Sequence, residues 1–572
     1  MGHFTQLDGI VLVGYFILTL AVGVFFWSRS RSTESFTAAG RSLPGWLVGL
    51  SIFATYVSSI SYLALPGKAF ATNWNAFVSS LTIPLTTWIA VVWFLPYYRK
   101  TNDISAYASL ERRFGPWARL YASFCYLLLQ LARIGVVTYL LALPMSVIFG
   151  WNIATIIIVT GVVVTAYTFV GGILAVVWTD AIQTIVLLVG VVITLIILFV
   201  QLGGNCPEAF AYAWNEGKFS WGTPGVSCNR LGNVSFDFGH ATILVILMFG
   251  LCENLKNFGI DQNYIQRYML AKNESEAKKS LWLGAMIYLP VCALFFLIGT
   301  MLFMLYQTGP DRETDLREVK QAVAHQKLMQ EGTAPEYTFD SKSGRQVFTE
   351  QYRQKIEAVS ATLQDKDIGD QVFPHFIGKY MPPGLTGLMI AAIFSAGMST
   401  ISTSLNSSAT LLLRDYYLRF FRPNASEKES MRVLYAGTIT WGVLGTGVAL
   451  LLIRLTDSAL DIFWTLSGIF AGGMLGLFLI GLLIKRSRNG SALAAACIGT
   501  VMIGWLSVPE ILHWLERHGA VVAAEQLRTL VEHCGGVNPF HPFLTPMLGT
   551  VTMLVFAFLI SRLWSPDVRG GP

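Results

Sequence analysis

Thirteen apolar runs punctuate this chain, at roughly 8–28, 45–70, 76–98, 119–149, 152–170, 181–201, 240–259, 281–306, 384–412, 434–454, 459–484, 491–510 and 542–561. Each comes close to the ~20 residues a helix needs to cross a bilayer. In hydrocarbon no water satisfies a backbone N–H or C=O, so a crossing segment must be a helix or a strand of a closed barrel. Barrel strands read as ~10-residue segments of alternating polarity, whereas these runs are continuous. An all-α polytopic membrane protein with about 13 transmembrane helices is therefore expected. Composition agrees: 13% of residues are charged, against roughly 25% in a soluble domain.

Orientation follows from the placement of Lys and Arg in the short loops. Basic residues follow the first span (Arg29, Arg31, Arg41), the third (Arg99, Lys100, Arg112, Arg113) and the seventh (Arg267, Lys272, Lys278, Lys279). They also follow the ninth (Arg414, Arg419, Arg422, Lys428, Arg432) and the eleventh (Lys485, Arg486, Arg488). The short loops 71–75 and 150–151 carry none. This places the N-terminus outside and the C-terminus in the cytoplasm of a multi-pass plasma (inner) membrane protein. The net charge of +6 is this asymmetry rather than a nucleic-acid patch. The first run lacks a basic stretch before it and a small-residue cleavage site after it, so it reads as a retained helix.

Two spans are unusual. Nine of the fourteen residues from Ser395 to Ser408 carry a hydroxyl or amide, and Ser395, Ser399, Ser402, Thr403 and Asn406 share helical spacing. A monovalent cation stripped of water is held by such neutral oxygens, while packing between membrane helices is the other use of small hydroxyl residues. The second span places Thr55, Tyr56, Ser58, Ser59 and Ser61 mid-run and then Pro66–Gly67. That pattern predicts a broken helix whose freed carbonyls serve something polar, or a proline kink.

The two longer segments between spans, 202–239 and 307–383, fall outside on this topology, the second charged and partly helical. Cys206 and Cys228 share the first and are expected to pair in an oxidising compartment. No metal-ligand spacing, phosphate loop or nucleophile motif has usable context, so enzymatic chemistry finds no support.

GGILAVVWTDAIQ at 171–183, NYIQRYMLA at 263–271 and AAIFSAGMSTISTSLNSSAT at 391–410 closely resemble the sodium/solute symporter family, which includes the sodium/glucose cotransporters. SIFATYVSSISYLALPGKAFATNW at 51–74 and LARIGVVTYL at 131–140 are similar to segments of its bacterial sodium/sialic acid symporters. The resemblance, running from about 8 to 490, implies a leucine-transporter-type inverted repeat of five helices plus five. It implies an extra helix and cytoplasmic loop at 1–44, a core at about 45–454, and additional helices with a short cytoplasmic tail at 455–572.

Residue by residue, the resemblance implies a first sodium site from Ala54, Val57, Ala396, Ser399 and Thr400. It implies a second from Asp180, Ser399, Ser402 and Thr403, so that one or two sodium ions accompany the solute. Asp180 also reads as a helix cap that needs no ion. The solute pocket is implied at Tyr56, Ser58, Ser61, Ser80, Arg133, Asn254 and Asn257, with Arg133 matching the arginine that meets the substrate carboxylate in sialic acid carriers. Tyr56 and Ser80 depart from the pocket of those carriers, and Asn257 departs from that of a glucose or galactose carrier. Glu253 and Lys256, three residues apart on the seventh span, are expected to pair.

The implied function is sodium-coupled import, by alternating access, of a small organic solute, a sugar or an acidic sugar such as sialic acid. A neutral monosaccharide is the alternative solute. A membrane sensor working with a separate signalling partner, or a channel, are the alternatives of another class. The partners implied are the solute, sodium and the lipid bilayer, with no nucleic acid, and the chain is expected to act as a monomer.

Overall fold

A computed structural model describes residues 4–27, 32–101, 103–228, 234–330, 333–340, 345–453, 459–517, 521–533, 536 and 538–563. Among these residues ten helices are long and apolar enough to cross a membrane, or twelve when each of two bent pairs counts as one span, and Ile153–Phe169 is a shorter apolar helix. In chain order they are α1 (Gln6–Trp27), the bent pair α2 (Gly45–Tyr56) and α3 (Ile60–Ala71), α4 (Trp74–Thr101), α5 (Pro116–Phe149), α6 (Ile153–Phe169) and α7 (172–202). The second bent pair, α8 (Ile243–Gly259) and α9 (Gln262–Tyr268), precedes α10 (Glu274–Thr308), α11 (Leu385–Phe421), α12 (Glu427–Leu452), α13 (Ala459–Leu483), α14 (Asn489–Leu506) and α15 (Thr545–Leu563).

The α2–α3 break is where the hydroxyl-rich segment predicted one, and its cause is local. Val57 turns to an extended conformation (φ −82°, ψ 114°), and the chain bends by 59°. Ser58 Oγ then accepts the N–H of Ile60 at 3.2 Å, while Ser59 Oγ donates to the Val137 carbonyl at 3.0 Å. Pro66–Gly67 does not break the helix. Pro66 lies in the first turn of a regular helical segment, preceded by a π-helical turn at Ile60–Ala64. Gly67 is there for contact, since a Cβ on it would meet the Gly369 carbonyl oxygen at 2.7 Å.

The α8–α9 break, a bend of 47°, was not expected. Asp261 sits between the two helices with extended backbone and caps α9, its Oδ1 accepting the N–H of Asn263 at 2.8 Å. A cap of this kind starts a new helix wherever the previous one stops. The two broken helices stand five spans apart, each opening one half of the fold.

The hydroxyl stripe lies on α11, where every residue from Met389 to Leu411 is buried against α5 and α7. Helix α7 begins at Gly172, whose left-handed φ of 56° separates it from α6 and lets the backbone pass 2.9 Å from the Phe36 ring, measured from a Cβ that glycine lacks. The carboxylate of Asp8, on α1, is fully buried. Its Oδ1 accepts the N–H groups of Gly384 and Gly387, each at 2.8 Å, at the N-terminus of α11, where a negative charge is favourable.

Between α10 and α11 the insert forms helices Arg312–Gln330, Glu350–Thr362 and Asp365–Tyr380 and a two-stranded antiparallel hairpin, Tyr337–Asp340 with Arg345–Phe348. Asp365–Tyr380 packs on α3, with Phe373 stacked on Tyr62 at 5.8 Å. His375 connects this helix to its neighbours: Nδ1 lies 2.6 Å from Tyr306 Oη on α10, and Nε2 lies 3.1 Å from Glu318. Cys206 is half-buried and has no disulfide partner among the described residues, and the side chain of Cys228, its expected partner, lies outside them, as do Arg29, Arg31 and Cys534.

Candidate functional site

The last turn of an α-helix leaves carbonyl oxygens without helical partners, and in α2 one of them is used by the hydroxyl stripe. Ser399 Oγ donates to the Ala54 carbonyl at 2.8 Å and also lies 3.2 Å from the Ala396 carbonyl. Thr400 Oγ1 lies 3.3 Å from that same Ala396 oxygen. Val57 closes the group at the end of α2. All five residues expected for a first sodium site are 3% exposed or less. Ser399 has one proton and two acceptors. Turning it to Ala396 points an oxygen lone pair toward Ala54, which gives a cation neutral oxygens from two different helices.

The residues expected for a second cation site also converge, but around a charge supplied by the chain. Arg267 Nη2 donates to Asp180 Oδ2 at 2.8 Å and to Thr403 Oγ1. Its Nε donates to Ser51 Oγ at 2.7 Å, and Ser51 Oγ donates to Asp180 Oδ2 at 2.5 Å. Both Asp180 and Arg267 have fully buried side chains. Asp180 lies eight residues inside α7, so the reading of it as a helix cap is wrong. Counting Arg267 among the loop charges after the seventh span is wrong as well, since it is a core residue of α9. Ser402 and Thr403 Oγ donate to the Ser399 carbonyl at 3.1 and 2.6 Å, which joins the two groups. Asp180 Oδ1 has no hydrogen-bond partner among the described residues.

All seven residues expected at the solute site, Tyr56, Ser58, Ser61, Ser80, Arg133, Asn254 and Asn257, line one cavity beside the α2–α3 break. Thr400 lines it as well, so the first cation group and the solute space share a wall. The Tyr56 ring packs 4.1 Å from Tyr288 and 5.7 Å from Phe258, and its hydroxyl donates to Asn254 Oδ1. Asn254 Nδ2 donates in turn to the Ser79 carbonyl and Thr82 Oγ1 at 3.1 and 2.9 Å. Asn254 thus fixes Tyr56 and α4 in place. Asn257 Oδ1 and Arg133 Nη1 have no hydrogen-bond partner among the described residues. Arg133 is 6% exposed, with its guanidinium 5.6 Å from the centre of the Phe463 ring and 3.9 Å from Asp261.

Glu253 and Lys256 form the expected ion pair, at 2.5 Å, and Ser467 of α13 joins it. The cavity also takes Glu253, Tyr264, Tyr288, Phe463 and Trp464, none of them expected there. Tyr288, Phe463 and Trp464 sit in apolar runs where an aromatic residue reads as core or lipid-facing, and the sequence held no signal for them. Arg267 did carry a signal: a buried acid such as Asp180 needs a partner of opposite charge.

Comparison with known proteins places this geometry. The profile of the sodium:solute symporter family matches residues 36–331 and 344–499. A sodium/sialic acid symporter of Aliivibrio fischeri is 29% identical over 508 residues, 88% of each chain. Sodium-coupled monocarboxylate transporter 2 of Mus musculus is 27% identical, covering 94% of this chain and 77% of its own. A solved structure of a sodium-coupled sialic acid symporter, in a substrate-bound outward-open state, superposes with a TM-score of 0.77 at 26% identity over 99% of both chains. The fold is of the leucine-transporter type, and the two broken helices are the openings of its two inverted halves. Coupled carriage of sodium and a small organic solute through a membrane, rather than catalysis, is what such proteins do, and this chain belongs to the sodium:solute symporter family.

Proposed function

We propose that this symporter takes up a carboxylated solute, an acidic sugar such as sialic acid, with Arg133 as the carboxylate ligand. The observation that carries the reading is the buried Arg133 on the wall of the cavity, its Nη1 without a hydrogen-bond partner among the described residues. An arginine within a membrane span costs ~2.5 kcal/mol or more unless a partner or cavity receives it. A carboxylate matches its planar fork in two parallel hydrogen bonds. The relatives that carry sialic acid support the same solute class. Asp261, 3.9 Å from Arg133, favours the second reading, a neutral monosaccharide with Arg133 held by an internal counter-ion.

The first sodium is held by Ala54, Val57, Ala396, Ser399 and Thr400. A second, shared with the Arg267 pair, uses the open Asp180 Oδ1 with Ser399, Ser402 and Thr403. The chain acts as a monomer, with its N-terminus outside, the segments 202–239 and 307–383 external and its C-terminus cytoplasmic. The helix before α2 and the helices after the repeat flank the core. Proteoliposomes carrying an inward sodium gradient test the reading. Concentrative uptake of sialic acid, absent in choline buffer, supports it, and uptake of glucose with indifference to sialic acid overturns the solute. A sodium Hill coefficient near two that drops toward one in Ser402→Ala supports the second ion.

A further inference from the structure

We propose that Glu253 is a second recognition point in the solute cavity, accepting hydrogen bonds from donors, hydroxyl or ammonium, on a solute whose carboxylate is held by Arg133. The inference rests on the carboxylate reading above and extends it to the remainder of the solute. Glu253 lines the cavity with 11% of its side chain exposed, while Lys256 lies behind it, fully buried. Its Oε1 takes the Lys256 ammonium at 2.5 Å. Ser467 Oγ approaches both carboxylate oxygens, at 3.0 and 2.9 Å, but has a single proton to give. A carboxylate offers about four acceptor positions, so part of this capacity is left facing the cavity.

Asn257 Oδ1 is a further acceptor on the wall without a hydrogen-bond partner among the described residues, but it is neutral where Glu253 is charged. Asn254 is committed to Tyr56, Ser79 and Thr82, and Arg133 donates only. Among the charged side chains lining the cavity, Arg133 and Glu253 are of opposite sign. A monocarboxylate with an apolar remainder would satisfy Arg133 and leave Glu253 facing an apolar group. That loses a hydrogen bond to a charged acceptor, worth about tenfold or more in affinity. The cavity is therefore selective for carboxylates that also carry donors.

Three solutes of equal chain length test this: hexanoate offers a carboxylate alone, gluconate adds hydroxyls, and ε-aminohexanoate adds an ammonium. Calorimetric binding to the purified full chain in sodium buffer, with sialic acid as a fourth probe, gives the ratio of each affinity to that of hexanoate. We expect at least one donor-bearing solute to exceed hexanoate by about tenfold, with gluconate or ε-aminohexanoate identifying the donor. Glu253→Gln should collapse that ratio toward one. The double variant Glu253→Gln with Lys256→Gln should do the same without leaving a buried lysine unpaired, whereas Lys256→Gln alone should retain most of the preference. Equal binding of all three solutes to the wild type overturns the inference. So does a ratio that survives Glu253→Gln, or one that Lys256→Gln collapses equally, the mark of a purely structural pair. If no carboxylated solute binds the wild type, sialic acid included, the Arg133 reading falls too. Sialic acid binding that ignores Glu253 overturns the second point alone.

Discussion

The hydroxyl of Ser399 crosses from one helix to another to donate to the carbonyl of Ala54, 2.8 Å away, at the point where α2 stops. A helix end exposes carbonyls inside a membrane only where something polar uses them, and here the user is a side chain of the opposite half of the repeat. On the proposed reading a cation bound there would hold the two halves together and so link ion binding to the state of the whole molecule.

Replacing Ser399 or Thr400 with Ala removes one neutral oxygen each. Sodium affinity is expected to fall roughly threefold to tenfold, from about 1 kcal/mol per lost ligand. The sodium concentration for half-maximal uptake reads this directly, and an unshifted value in both variants would place the ion elsewhere.

The Asp180–Arg267 pair is buried on both sides. Removing one partner strands the other charge, at a cost of ~3–5 kcal/mol, whereas removing both is far milder. Asp180→Asn and Arg267→Met should each lower the melting temperature in detergent, and the double variant should recover much of the loss. Additive losses would mean that the two charges do not depend on each other.

Arg133→Lys keeps the charge and loses the fork. A carboxylated solute should bind about tenfold more weakly or worse, with sodium binding and thermal stability close to wild type. Unchanged solute affinity would return Arg133 to a structural partner of Asp261.

In the insert between α10 and α11, burial pushes the His375 imidazole below its ordinary value, overcoming the opposing pull of the nearby Glu318 carboxylate. The groups around it are Tyr306 of α10, Glu318 and Asp315 of Arg312–Gln330, and Lys379 and Tyr380 of its own helix. A base with a lowered folded-state pKa favours folding fully only above its unfolded value, about 6.5. The contribution is lost as pH falls below that, because the unfolded chain takes up the proton first. Proteolysis of the insert should accelerate between pH 7 and pH 5, and His375→Gln should flatten the dependence. An equal pH response in both proteins rules His375 out as its source.

Membrane class, helix positions and the hydroxyl stripe were legible in the sequence because each depends on composition within one segment. The first break was legible for the same reason, as Ser58 and Ser59 sit where a helix must part. The second was not: Gly259 and Asp261 look ordinary in a polar stretch, and only the cap to Asn263 makes them a junction. Arg267 was misassigned because nearness to a basic loop suggested one fate, and its partner Asp180 is far away in sequence. The cavity residues carried over from related proteins do meet in one place. Phe463 and Trp464 reach it only through packing between α8 and α13, which no local pattern encodes.

Helix α1 is proposed to lie outside the inverted repeat, yet its Asp8 holds the first amides of α11. On the proposed reading α11 shifts against α2 during alternating access, and a buried carboxylate with two backbone donors does not let go cheaply. The extra helix is thus a passenger on one moving part and a stranger to the other. Spin labels on α1 and α11 should keep a fixed separation through the cycle, while α1 and α2 drift apart and return.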